Sequence, residues 1–150
     1  MTVEPFKAAD YHEIVPRSPE EIEALGETQW RELLERYERN PSWTMRDESG
    51  RVVFFGGVVV LWKGVGEAWS VMSDLVEHFP LAVVREIRRR IDETFEEKRL
   101  RRIQAIIADD NPRAVKLMRL AGFEVEGLLR AYSPDGKDCF ILGRVKEWKS

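Results

Sequence analysis

Apolar residues recur along this chain in two rhythms, and the changes of rhythm divide it into elements. Trp30, Leu33, Leu34 and Tyr37 fall at i, i+3, i+4 and i+7, the one-faced pattern of an amphipathic helix. They predict a helix from about Thr28 to Arg39, stopped by Asn40-Pro41. Val84, Ile87, Ile91 and Phe95 repeat the pattern in a longer stretch, Pro80 to Lys98, with Arg85, Arg88, Arg89 and Asp92 largely off the apolar face. Ala114, Leu117, Met118 and Ala121 do so again. Asn111 can cap that helix, Pro112 suits its first position, and Gly122 closes it. Ahead of these, Ser18-Pro19-Glu20-Glu21 predicts a short helix in which Ser18 caps and Glu21 completes a capping box, ending at Gly26.

The other rhythm is that of strands. Thr2 to Lys7 gives a weak first strand and Ser42 to Arg46 a short second one. After the turn Asp47-Glu48-Ser49-Gly50 comes a long β-rich run, Arg51 to Lys63, in which Gly56-Gly57 suggests a bulge. Gly64-Val65-Gly66 turns the chain into Glu67 to Ser73, so three consecutive strands form an antiparallel meander. Ile103 to Ala108 is a nearly continuous apolar run, suited to a buried strand. Phe123 to Tyr132 and Asp138 to Lys146 are two more, joined by the turn Ser133-Pro134-Asp135-Gly136-Lys137. The predicted order is β-α-α-β-β-β-α-β-α-β-β: an α/β (α+β) fold, one mixed sheet with helices on both faces. The strand, long helix and strand in the middle form a parallel crossover.

At 150 residues, without repeat or linker, residues 1–150 read as a single domain. The composition is globular, with 43% hydrophobic and 34% charged residues. A net charge of −3 exerts no general pull on nucleic acid or anionic lipid. The basic run from Arg85 to Arg102 is interleaved with Glu86, Asp92, Glu93, Glu96 and Glu97 and lacks aromatic stacking residues, so it reads as a solvated helix face. The longest apolar stretch, Val52 to Trp62, falls well short of the roughly 20 residues of a membrane span. Cys139 is the only cysteine, and the start of the chain lacks the pattern of a signal peptide. The expectation is a cytoplasmic protein with no membrane and no nucleic-acid partner. Two histidines and one cysteine, far apart in sequence, give no metal-ligand spacing.

The segment Asn111-Pro112-Arg113-Ala114-Val115-Lys116-Leu117-Met118-Arg119-Leu120-Ala121-Gly122-Phe123 resembles the N-x-x-A-x-x-L-Y-x-x-x-G-F motif of the GCN5-related N-acetyltransferases (GNAT). Asn111, Ala114, Leu117, Gly122 and Phe123 agree; Met118 stands where the family usually has tyrosine. The order of elements resembles the GNAT acyl-CoA N-acyltransferase fold over nearly the whole chain. The family's second signature, R/Q-x-x-G-x-G/A at the start of the long helix, aligns with Glu77-His78-Phe79-Pro80-Leu81-Ala82. Ala82 is acceptable there. Pro80 has no N–H to offer a phosphate, and Glu77 is itself an anion. At about 4 Å and an effective dielectric near 20, such a pair repels by roughly 4 kcal/mol. Gly66-Glu67-Ala68-Trp69 and His78-Phe79-Pro80 give a narrower likeness to acetyltransferase-like proteins encoded by tailed phages and prophages.

The resemblance implies acetyl-CoA as cosubstrate and direct attack of an amine on its thioester. Glu67 matches the family's general base. The N–H groups near Met72 and Ser73 match the groups that polarise the carbonyl and pair with the pantetheine arm. Ala82, Asn111 and Arg113 match further cofactor contacts. Since a thioether at Met118 cannot donate a proton, Tyr132 is the candidate displaced acid. Each residue also has a plainer reading: Glu67 as a solvated strand-end charge, Ser73 as a strand end, Tyr132 as packing. Trp62 and Trp69 either border an acceptor pocket or pack on the sheet. Two functions follow. One is an N-acetyltransferase acting on a small-molecule or protein amine. The other is an inactive acetyltransferase-like protein of phage type that binds or assembles. Exposed strand edges would support a homodimer.

Overall fold

The runs rich in β-branched residues assemble into one sheet. In the computed structural model, which describes residues 1–148, the strands are β1 (Thr2–Pro5), β2 (Ser42–Arg46), β3 (Val52–Trp62), β4 (Val65–Met72), β5 (Arg102–Ala108), β6 (Glu124–Leu129) and β7 (Cys139–Val145). They lie in the order β1-β2-β3-β4-β5-β7-β6. Every neighbouring pair is antiparallel except β4 and β5. The helices are α1 (Glu20–Leu25), α2 (Glu27–Glu38), α3 (Pro80–Lys98) and α4 (Pro112–Leu120), with 3₁₀ turns at Ala8–Glu13 and Asp74–His78. The element order is the one expected from the sequence. Among the described residues, no helix is long and apolar enough to cross a membrane.

Helices cover both faces of the sheet. On one, Ile91 and Phe95 of α3, Met118 of α4 and Ala121 at its C-terminal cap pack against Val58, Ile103, Ala105 and Leu142. Val83, also on α3, extends this cover over Met45, Val53 and Phe54. On the other face, Leu34 of α2, with Phe6 and Ile14, packs against Phe55 and Val71. The α3 apolar face is rotated slightly from its sequence reading: Val83, not Val84, is fully buried.

The central pair makes the fold useful. β4 and β5 are matched only from Val65 with Arg102 to Ala68 with Ala105. Beyond that point β4 continues to Met72 beside β3, and β5 to Ala108 beside β7. Two strands of one sheet therefore part, and a fork opens between Trp69–Met72 and Ile106–Ala108.

Several local expectations are corrected. The capping box does not form: Pro19 takes the N-cap position with no side-chain cap bond. Proline has no N–H for Glu21 to reach back to. Gly56-Gly57 is no bulge; the register shifts lie at Met45/Arg46 and Val60/Trp62. Gly57 instead permits a close approach, because a Cβ there would lie 2.8 Å from Ser42 Cα and closer still to the Pro41 carbonyl oxygen. The strand expected to reach Tyr132 ends at Leu129, since the loop backbone takes over: Tyr132 and Ser133 N–H both bond to the Lys137 carbonyl.

Gly57→Ala is expected to destabilise the chain by about 1–3 kcal/mol through overpacking against backbone that cannot yield. Gly127→Ala, where a Cβ meets only Ile141 Cγ2 at 3.6 Å, should stay within about 0.5 kcal/mol. Urea melts of the two variants beside the parent check the contrast.

Candidate functional site

The walls of the fork follow from strand alternation. Ser73 N–H donates to the Val53 carbonyl on β3 at 3.1 Å. In an antiparallel ladder this direction alternates, so the N–H and C=O groups of Ser70 and Met72 face away from β3 and into the fork. One is engaged from within the chain, since Arg17 N–H donates to the Met72 carbonyl at 2.8 Å. Ser73 is buried, and its hydroxyl bonds to the Val52 and Val53 carbonyls and accepts from Leu75 N–H. Its N–H and hydroxyl are thus committed to the strand end and the turn that follows. Of the two N–H groups expected to serve a ligand, only that of Met72 faces the gap.

Glu67 stands at the crotch of the fork, one residue before the last matched pair. Half-buried, it accepts a hydrogen bond from Gln104 Nε2 at 3.0 Å. The same cleft, about 480 Å³, is lined by Trp69, Tyr37, Tyr132, Glu21, Cys139 and Met118 among others. Tyr37 stacks on Trp69 with ring centroids 3.8 Å apart. Burial pushes the Tyr37 phenol well above its ordinary pKa, and the Glu67 carboxylate adds to this. The same two causes, in the same order, raise the Tyr132 phenol. Both phenols thus stay protonated beside a carboxylate. The Cys139 thiol is buried and its pKa is raised by that burial, then by Glu21. It is no activated nucleophile. Trp62 is 61% exposed at the far end of β3 and does not border the cleft. It sits beside the β3–β4 turn, at the end of the sheet away from the opening, and Trp69 alone of that pair lines the wall.

At the open end of the fork lie the starts of α3 and α4. The α3 N-terminus has Pro80 at its first position, no side-chain cap and no acidic residue in its first turn. Proline supplies no donor, so Leu81 and Ala82 hold the free N–H groups of that helix end. The Ala82 side chain is packed against the core cluster of Met45, Val53, Phe54, Val76 and Val83. The α4 N-terminus is capped: Asn111 Oδ1 accepts from Ala114 N–H at 3.2 Å. Arg113, in the first turn of α4, forms an ion pair with Glu77. His78 is exposed. Met118 is buried against the core and also touches the cleft, where its thioether has no proton to donate.

The structure thus brings Glu67, Tyr132 and Met72 to one cleft, with Asn111 also in its lining and Arg113 and Ala82 near its mouth. Glu21, Arg17, Tyr37 and Gln104 were missed in the sequence. Gln104 is in register with Glu67 across the one parallel pair, which only the sheet order reveals. Glu21 read as a cap, although a carboxylate on the inner side of a short amphipathic helix was the available signal.

No family model matches the chain, and no curated protein matches it in sequence. Solved structures do resemble it in fold. A protein assigned as a phosphinothricin N-acetyltransferase superposes with a TM-score of 0.73 at 18% identity, over 98% of this chain and 99% of that one. A GNAT-family acetyltransferase from Bacillus anthracis gives 0.71 at 13% identity, over 95% and 93%. The ribosomal-protein-S5-alanine acetyltransferase from Vibrio fischeri gives 0.69 at 16%, over 99% and 94%. The fold is that of the GNAT acetyltransferases.

Burial raises the Glu21 pKa, and the Asp135 and Asp110 carboxylates raise it further against the opposing effect of Lys137. A carboxyl with a raised folded pKa binds protons more tightly folded than unfolded, so it weakens the fold as pH climbs past the unfolded value. Glu21→Gln should therefore raise the melting temperature near pH 8. The gain should fade as pH falls through the carboxylate range, as paired thermal melts at pH 8 and 4.5 would show.

Proposed function

We propose that this chain is an acetyl-CoA-dependent N-acetyltransferase, acting on an amine by direct attack. The observation that carries the reading is the fork, with unpaired strand N–H groups on one wall and a carboxylate at its crotch. The gap fits the pantetheine arm, an extended chain with two amides that can pair with strand backbone. Ser70 and Met72 are the residues that would hold it. Acetyl-CoA, when bound, supplies the thioester whose carbonyl carbon the amine attacks.

The chain's own groups divide the remaining work. Glu67, steadied by Gln104, is placed to take the proton of an incoming ammonium. The Met72 N–H donates into the fork and would stabilise a developing oxyanion there. Tyr132, 54% exposed at the cleft, has its phenol pKa raised by partial desolvation and then by Glu67, and would be the acid that Met118 cannot be. The acidic and aromatic wall of Glu67, Glu21, Tyr37 and Trp69 suits an amine acceptor that arrives as a cation. The likeness to phage- and prophage-encoded proteins gains nothing from the structural neighbours and forms no part of the proposal.

A second reading, an inactive binding protein on the same fold, is favoured by Met118, which has no proton to give, and by Pro80, which has no N–H to offer a phosphate. Turnover separates the two. With an amine panel and a free-thiol readout, the proposal expects acetyl-CoA-dependent release of CoA. Glu67→Gln should lower kcat by about 100- to 10,000-fold with a smaller change in the KM for acetyl-CoA. Tyr132→Phe should lower kcat and flatten the alkaline limb of the pH profile. No thermal shift with millimolar acetyl-CoA and no thiol release from any amine would refute the enzyme.

A further inference from the structure

The mouth of the fork holds a largely covered arginine whose only carboxylate neighbour within 4 Å, among the described residues, is Glu77. Arg17 lies in the segment before α1, and its backbone is pinned to the open end of β4 by the bond to the Met72 carbonyl. Its side chain is only 11% exposed and lines the cleft. Among the described residues its guanidinium makes no side-chain hydrogen bond, and the nearest carboxylate, Glu77, is 4.0 Å away. Glu77 is held instead by Arg113 on α4. Asp74 is the other acidic influence on Arg17, and Arg113 opposes it. A guanidinium stays charged in proteins and presents a rigid fork of donors. Burying most of one beside a second guanidinium, without a hydrogen-bonded anion, is unfavourable. The uncapped start of α3, with free N–H groups on Leu81 and Ala82, adds positive potential to the same place.

We propose that Arg17, with Arg113, is the diphosphate-binding pair of this chain, and that Glu77 is an internal stand-in anion which the diphosphate displaces. The assignment rests on the acetyl-CoA reading above and extends it to a residue outside the GNAT motifs. It also accounts for the altered helix start. Donors that Pro80 cannot supply come from guanidinium groups, which suit phosphate oxygens in bidentate fashion. Glu77, an obstacle when read in isolation, neutralises the arginines while the ligand is absent.

The test is calorimetric titration of CoA, dephospho-CoA and pantetheine into the unaltered chain and into Arg17→Ala, Arg17→Lys and Glu77→Gln. Dephospho-CoA keeps the diphosphate and loses only the 3′-phosphate; pantetheine has neither. Arg17→Ala should weaken CoA and dephospho-CoA alike by about 10- to 100-fold, the range of a lost charge-assisted hydrogen bond, and leave pantetheine unchanged. Arg17→Lys should recover part of the loss. Glu77→Gln should tighten CoA several-fold, an arm that does not depend on the Arg17 variants folding. Equal weakening of CoA and pantetheine by Arg17→Ala would mean that Arg17 only holds the strand end. That result, or CoA binding unaffected by Arg17→Ala, or weakened by Glu77→Gln, overturns the assignment while leaving the acetyl-CoA reading intact. An unaltered chain that binds neither CoA nor pantetheine overturns both.

Discussion

Everything that distinguishes this molecule from an ordinary helix-covered sheet depends on how briefly β4 and β5 stay together. Backbone donors and acceptors inside a protein must be paired, and a sheet that splits leaves a row of them facing each other across a gap. The chain answers this in two ways. The far edges of both strands are fully laddered, β4 to β3 and β5 to β7, so neither strand depends on the other. At the open end, the Arg17 N–H satisfies the Met72 carbonyl. What remains unpaired is a short stretch of polar backbone between two helix-covered half-sheets, a geometry that an extended amide-bearing ligand can complete.

The segment that reaches Met72 is itself held from a distance. Arg46 on β2 gathers Glu4, Asp10 and Glu13 around one guanidinium, at distances from 2.7 to 4.0 Å. The Arg46 side chain is only 16% exposed, so this cluster differs from a pair of loose surface charges. Phe6 and Ile14 fasten the same stretch to the core beneath α2. With residues 4–14 fixed in this way, little free chain separates the last anchor from Arg17. The placement of one guanidinium at the mouth of the fork thus traces back through a charge cluster at the β1 edge of the sheet.

The fold was largely legible because its signals are local. Helical spacing, cap residues and β-branched runs announced each element of the expected order, and the Asn111–Phe123 motif behaved as its residues require, with Gly122 at φ +98° closing α4. The site was legible only in part. Glu67, Met72 and Tyr132 were named through the resemblance to the GNAT family, and the fold brings all three to one cleft. Glu21 misled because the same residue suits a capping box and a cleft wall, and only Pro19 at the cap position decides between them. Trp62 misled because alternation along β3 does not say how far down the sheet a residue lies. Arg17 was invisible, since its role arises from a backbone bond to a strand distant in sequence and from the crowding of three charged side chains on separate elements.

The brief seam between β4 and β5 also divides the molecule mechanically. On one side lies a four-stranded block, β1 to β4, and on the other a three-stranded one, β5 to β7. The covalent link between them runs through α3, which lies across the seam with Val83 set against the first block and Ile91 and Phe95 reaching the second. A ligand seated in the open end would touch both blocks at once. It would thus be a second tie between the two halves of the sheet, alongside the helix that already joins them.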